Sequence, residues 1–380
     1  MPDPANALEL LQALIRIPSV NPEGDPGTTQ TGEKACAEFV AGFLQRGGAR
    51  VELQTVFPDR PNVIGIFPSD RPGKKRVILA PHLDTVGVVG MTIDPFCGEV
   101  RDGKIWGRGA TDTKGTMAAM LWALWEMREQ IATLDHEVWF AGFMSEETLQ
   151  HGSKAFVKEY CKENPADTFA LIGEPTGPSV IHTHKGGCRL HLITRGVAVH
   201  SSAPENGVNA IYKMHEVITW LREVLAPRLA QLSNPVLGSP TLSVGTIHGG
   251  SRSNIVPDYC EITVDIRTIP ELYADGAASF GERVLSELRS VVPDLEGAYN
   301  ESHPLWTDPS HPLIGVLERL GKQCAGAGWF CDAAIFSAAG VPAVAAGPGS
   351  IAQAHTKDEW LSVADLQDGV EFYRQFLQAL

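Results

Sequence analysis

The chain has 380 residues, 43% hydrophobic and 20% charged, which is ordinary for a globular protein, too apolar for a disordered one, and long enough for two domains. A formal net charge of −14 argues against a nucleic-acid partner, because phosphate binding needs clustered Lys and Arg. It leaves an anionic small substrate open, since one local Arg can serve a pocket. Residues 1–10 have neither the basic nor the apolar region of a secretion signal, and the apolar run 117–125 is too short to cross a membrane. Seven cysteines, at 36, 97, 161, 188, 260, 324 and 331, are odd in number and form no C-x-x-C pair. Reduced thiols in a cytoplasmic protein are therefore expected.

In chain order, a helix is expected over 7–16, ended by Pro18-Ser-Val-Asn-Pro22, and a second over 31–47, with apolar spacing at Phe39, Val40, Phe43 and Leu44. Four short apolar runs follow at 77–80, 138–143, 169–172 and 343–346. Each is near-continuous rather than alternating, as in central strands covered on both faces. A helix at 116–129 lies between the first two, so the fold class is α/β: a mixed, mostly parallel sheet flanked by helices. The middle third differs. Segments 189–194 and 259–267 alternate, with Cys260, Ile262, Val264 and Ile266 facing one way. Helices at 208–224 and 276–291 accompany them. We read 1–178 with 294–380 as one domain and 179–293 as an inserted α+β domain of antiparallel sheet plus two helices.

Chargeable residues follow directly on the four apolar runs. His82 and Asp84 follow the first, Glu146 and Glu147 the second, and Glu174 the third. Gly347-Pro-Gly349 follows the fourth, with His355 close behind, and Asp112 precedes the helix at 116 in Gly107-Arg-Gly-Ala-Thr-Asp-Thr-Lys-Gly115. Singly, an H-x-D, a Glu-Glu pair or a glycine-rich turn is ordinarily a surface pair, a helix start or a loop. Gathered at strand ends, where open α/β sheets bind ligands, they form two imidazoles and several carboxylates. That donor set suits Zn²⁺, with Co²⁺ or Mn²⁺ as substitutes, and one shared carboxylate would hold two ions at catalytic spacing.

The set His82-Leu-Asp84, Gly109-Ala-Thr-Asp-Thr-Lys-Gly115, Ser145-Glu-Glu147, Gly173-Glu-Pro-Thr176 and His355-Thr-Lys-Asp-Glu359 resembles the di-zinc metallopeptidases. That family includes acetylornithine deacetylase, succinyl-diaminopimelate desuccinylase, aminoacylase and carboxypeptidase G. The resemblance runs over nearly the whole chain. Gly196-Val-Ala-Val-His-Ser-Ser-Ala-Pro204 and Gly249-Gly-Ser-Arg-Ser-Asn-Ile-Val-Pro257 resemble the family's inserted domain. It implies a zinc-exopeptidase-like catalytic domain with a lid and dimerisation domain, hence a homodimer. It implies that Asp112 bridges two Zn²⁺, that His82 and Glu174 complete one site, and that Glu147 and His355 complete the other. Asp84 would accept the second ring N–H of His82, Glu146 would be the general base, and the Asp112–Thr113 peptide would be cis. His200 would stabilise the oxyanion, while Asn254 and Arg267 would grip a substrate carboxylate.

Gly347-Pro-Gly-Ser-Ile-Ala-Gln-Ala-His355 and Thr246-Ile-His-Gly-Gly250 look most like the deacetylases, and Gly347 is expected beside the substrate. Phe330-Cys-Asp-Ala-Ala334 departs from that pattern. The expected substrate is a small N-acylated amino acid or dipeptide-like amide. The alternatives are a dipeptidase or carboxypeptidase of the same family and a non-catalytic binding relative, which would be marked by loss of a ligand or the base.

Overall fold

A computed structural model describes residues 4–70, 75–163, 165–273 and 279–380. It divides into two compact units: 1–182 with 306–325 and 331–380, and 183–305 with 326–330.

The first unit is built on four parallel strands: β1 (Arg76–Pro81), β2 (Glu137–Gly142), β3 (Thr168–Gly173) and β4 (Ala343–Ala345). They lie in the order β2-β1-β3-β4, with Ile78 opposite Trp139 on one side and Ala170 on the other. Antiparallel strands Arg60–Ile66 and Arg50–Phe57 extend the sheet beyond β2. The sheet is mixed and mostly parallel, as expected. Because β1 to β4 run the same way, their carboxyl ends share one edge.

Helices α1 (Ala7–Arg16), α2 (Lys34–Arg46), α3 (Lys114–Met127) and α4 (Val363–Gln378) cover the sheet. The Asn6 side chain caps α1 by accepting from Glu9 N at 2.9 Å. Helix α3 is apolar around most of its circumference and is buried accordingly. Its Met117, Met120, Leu121 and Leu124 share one core with Val77 and Leu79 of β1, Leu14 of α1 and Phe376 of α4. Each such side chain contributes about 1.5–3 kcal/mol by leaving water. This packing fixes the start of α3, and Asp112 stands two residues before it.

The second unit is a four-stranded antiparallel sheet ordered Thr241–Gly249, Tyr259–Thr268, Gly186–Arg195, Glu296–Ser302. Cys260, Ile262, Val264 and Ile266 are buried together, packing with Met214 and Val217 of helix Ala210–Trp220 and Val284 and Leu288 of helix Phe280–Val291. The sheet continues past residue 293, because Glu296–Ser302 pairs with Gly186–Arg195. That strand has no apolar alternation, so its sequence does not announce it. The expected helix over 208–224 begins at Ala210 and continues through a π turn at Leu221–Leu225. The expected start of the next helix, 276–278, lies outside the described residues. All seven cysteines are free thiols. Among the described residues no helix is long and apolar enough to cross a membrane.

Leu121→Ala leaves a cavity in the core that α3 shares with the sheet and should lower unfolding free energy by about 2–5 kcal/mol. Urea denaturation with an unchanged slope checks this; a loss below 1 kcal/mol, about that of a surface change, would mean the site's rear wall is not packed as described.

Candidate metal centre

The carboxyl edge of the parallel strands carries the chemistry. His82 follows β1 and Glu174 follows β3 immediately, while Glu146 and Glu147 lie a few residues beyond β2. Two groups of ligand-type atoms result, each with all its atoms within 4.8 Å of one another: His82, Asp112 and Glu174, and Asp112, Glu147 and His355. Asp112 belongs to both. Its Oδ1 lies 3.0 Å from His82 Nε2, and its Oδ2 lies 3.3 Å from His355 Nε2. His355 Nε2 is also 2.9 Å from Glu147 Oε2.

The first group is buried, while in the second Glu147 is half-buried and His355 exposed; the setting of both is strongly anionic. Asp84, Asp112, Glu146 and Glu174 are each under a tenth exposed. Among the described residues none of them pairs with a Lys or Arg. Burial pushes the Glu147 carboxyl up to about 7, and the neighbouring Asp112 adds to the rise. Burial, then Asp112, also drives Glu174 well above the ordinary carboxylate range. Hydrogen bonds donated to Asp112 and Glu147 lift His355 to about 10. For His82, burial opposes charging, but Asp112 and Asp84 outweigh it and the ring is shifted well upward. Asp112 moves the other way, because its two histidine partners overcome burial and hold it low.

The residues fit divalent cations. Oε1 of Glu147 and Oε1 of Glu174 are buried and have no hydrogen-bond partner. An orphaned buried carboxylate oxygen is expensive unless a cation faces it. His82 Nδ1 is directed at the Asp84 main-chain carbonyl, 2.9 Å away. Donation there leaves Nε2 as the electron-pair donor, facing Asp112. Nitrogen and carboxylate donors in this mixture suit Zn²⁺ and its borderline neighbours.

The Asp84 carboxylate is placed differently from expectation. Its Oδ1 stands 3.5 Å from the His82 ring, beyond a good hydrogen bond. Both oxygens are taken by stronger claims: Oδ1 accepts Glu146 N at 3.0 Å, and Oδ2 accepts Glu147 N at 3.2 Å and Asn21 Nδ2 at 2.8 Å. Ser145, at φ 63°, turns the chain so that both glutamate N–H groups face Asp84. A non-glycine residue there costs about 1–3 kcal/mol. Asn21 comes from Pro18-Ser-Val-Asn-Pro22, which the sequence shows only as a helix stop. Ser19 Oγ donates to Leu83 O at 2.7 Å, so this segment clamps the His82–Asp84 loop. Buried Glu33 accepts from Ser145 N at 3.3 Å and is held by Arg60. No motif of the sequence marks it.

The Asp112–Thr113 peptide is cis, the isomer the resemblance implied. Gly347 packs so closely under Glu174 that an added Cβ would stand 2.7 Å from the Glu174 carbonyl oxygen. Its N–H already donates to Thr176 Oγ1 at 3.2 Å, so close packing is its visible task. His200, Asn254 and Arg267 lie in the second unit. There Ser201 N donates to Asn254 O at 3.0 Å, and His200 bridges to Ile255. Arg267 donates through Nε to Asp265 Oδ1 at 2.9 Å, with 42% of its side chain exposed.

Residues 78–379 match the model of Peptidase family M20/M25/M40. The chain belongs to this family. Its relatives include an acetylornithine deacetylase of Proteus mirabilis, 32% identical over 98% of this chain and 96% of that one. The acetylornithine deacetylase of Klebsiella pneumoniae is 32% identical over 97% and 96%. Among solved structures, an M20 family metallo-carboxypeptidase from Sulfolobus solfataricus superposes with TM-score 0.76 at 17% identity, covering 98% of each chain. A dinuclear metal binding peptidase of the M20 family from Bacillus subtilis superposes with TM-score 0.66 at 14% identity, over 98% of this chain and 96% of that one. The chain is thus a metal-dependent hydrolase of linear amides. Each residue expected as a ligand is present, as is Glu146, so the mark expected of a non-catalytic relative is missing.

Cations must displace protons from this centre. At pH 7 His355, raised to about 10, carries a proton, and burial favours the protonated form of Glu147 as well. Cation binding should therefore release at least about one proton per chain, and apparent affinity should rise with pH through the window from 7 toward 10. Calorimetric titration with Zn²⁺ in buffers of different ionisation enthalpy measures this. Binding without proton release would contradict the placement of His355.

Proposed function

We propose that the protein hydrolyses the amide bond of an N-acyl-L-amino acid with a free α-carboxylate, in the manner of a deacetylase. The observation that carries the reading is the sharing of Asp112 between two three-ligand groups. His82 and Glu174 would complete one cation site, and Glu147 and His355 the other. Zinc is the proposed ion, with cobalt or manganese as substitutes. Bound divalent cations would polarise the scissile carbonyl and make water a stronger acid.

Glu146 is the proposed general base. Its backbone N–H is fixed by Asp84, and the residue is 9% exposed. Burial raises its carboxyl well above the ordinary range, against the pull of His82. A carboxylate so placed takes a proton from the attacking water and passes it to the leaving amine. Asp84 would hold base and ligand in one register. His200 would stabilise the oxyanion, and Asn254 would help hold the substrate. Arg267 would clasp the α-carboxylate; among the described residues Asp265 engages its Nε, and the rest of the planar fork is the part proposed to meet a ligand. Gly347 would let the chain pass close to the substrate. A homodimer is the proposed assembly and the cytoplasm the proposed location. Acetylornithine deacetylases are the relatives that favour acylated amino acids.

Glu146→Gln should keep its cations, counted by elemental analysis, and lose about 10²–10⁴-fold in kcat. Near-normal turnover would remove Glu146 as base. A panel of N-acetyl amino acids, their α-amides and dipeptides, assayed with added Zn²⁺ or Co²⁺, tests the substrate class. Free α-carboxylates should be preferred, and Arg267→Ala should erase that preference. Equal turnover of the α-amides would defeat the Arg267 assignment, and faster turnover of dipeptides would make the protein a dipeptidase.

A further inference from the structure

Glu359 ends the motif that begins at His355, yet none of the roles above uses it. It is completely buried, and its carboxylate accepts four hydrogen bonds. Oε1 takes Thr111 N and Asp112 N, both at 2.8 Å. Oε2 takes Gly109 N and Arg108 Nη1, both at 2.9 Å. Every partner is a donor, and three are backbone groups of the glycine-rich turn that presents Asp112. The chain around Glu359 is tied to the same turn. Its carbonyl accepts from Gly107 N at 3.0 Å, and the next residue's carbonyl accepts from Thr111 Oγ1 at 2.6 Å. Trp360 then pairs with Trp106 in a short antiparallel ladder.

We propose that Glu359 is a positioning residue that sets the Asp112 carboxylate between the two ligand groups and couples it to the loop bearing His355. The inference rests on Asp112 being the shared ligand, as proposed above. A carboxylate is the only side chain of this length that offers acceptors alone. The amide of Gln must turn its NH₂ toward one pair of donors, breaking two bonds and setting donor against donor. Asp keeps the acceptors on a stem one methylene shorter, which cannot reach both pairs together. The hydrogen bonds to charged or backbone donors in this dry pocket are of the stronger kind. Such outer partners of ligands are worth about 10–100-fold in metal affinity or activity when lost.

The test is titration of the full chain with Co²⁺, followed by visible absorption, for wild type, Glu359→Gln and Glu359→Asp, with kcat and KM measured alongside. Wild type should bind two ions. Glu359→Gln should bind at least one of them about 10–100-fold more weakly, with an altered Co²⁺ spectrum. It should lose kcat while KM stays close to normal, and Glu359→Asp should recover part of the affinity. A folded Glu359→Gln with wild-type affinity and spectrum for both ions overturns the inference and leaves the proposed function standing. A wild type that binds fewer than two ions overturns both. If Glu359→Gln does not fold, Glu359→Asp decides: weakened binding supports the positioning role, and unchanged binding overturns it.

Discussion

Asp112 offers one oxygen to His82 and the other toward His355, and everything at the carboxyl edge of the sheet is arranged around that division. Buried carboxylates repel one another and resent leaving water, so they share a dry site only when positive charge lies between them. Here Asp112, Glu147 and Glu174 come together with two imidazoles and, among the described residues, without Lys or Arg. The arrangement is poor as a piece of protein and good as a cradle for two cations.

Holding such a cradle open is the work of the surrounding backbone bonds. Asp84 collects the N–H groups of Glu146 and Glu147, and Glu359 collects those around Asp112. Each uses a fully buried carboxylate as an acceptor of local N–H groups, and each joins segments far apart in the chain. The apolar packing of α3 against β1 supplies the rigid floor. The proposed base and ligands are therefore placed by the folded scaffold before any substrate arrives, which is where most of the catalytic advantage of such sites resides.

The sheet was legible because strands buried on both faces must be apolar throughout. The runs at 77–80, 138–143 and 169–172 fall within a residue of β1, β2 and β3. The gathering of chargeable groups at one edge was legible because such groups directly after buried strands have little reason to be there unless they bind something. Three things were hidden. The edge strand Glu296–Ser302 carries polar and small residues whose pairing partner is about a hundred positions earlier. Two of the partners of Asp84 are main-chain N–H groups, which every residue possesses and no motif marks. Asn21, through its side-chain amide, and Glu359, largely through main-chain N–H groups, act across long sequence separations, so their neighbours could be named only from the fold.

The central claim is that paired ions sit at Asp112. Anomalous scattering from crystals loaded with Zn²⁺ measures it most directly. The account requires two peaks, one touching His82 and Glu174, the other Glu147 and His355, with a carboxylate oxygen of Asp112 on each. A single peak, or peaks that leave Asp112 unbound, would contradict it.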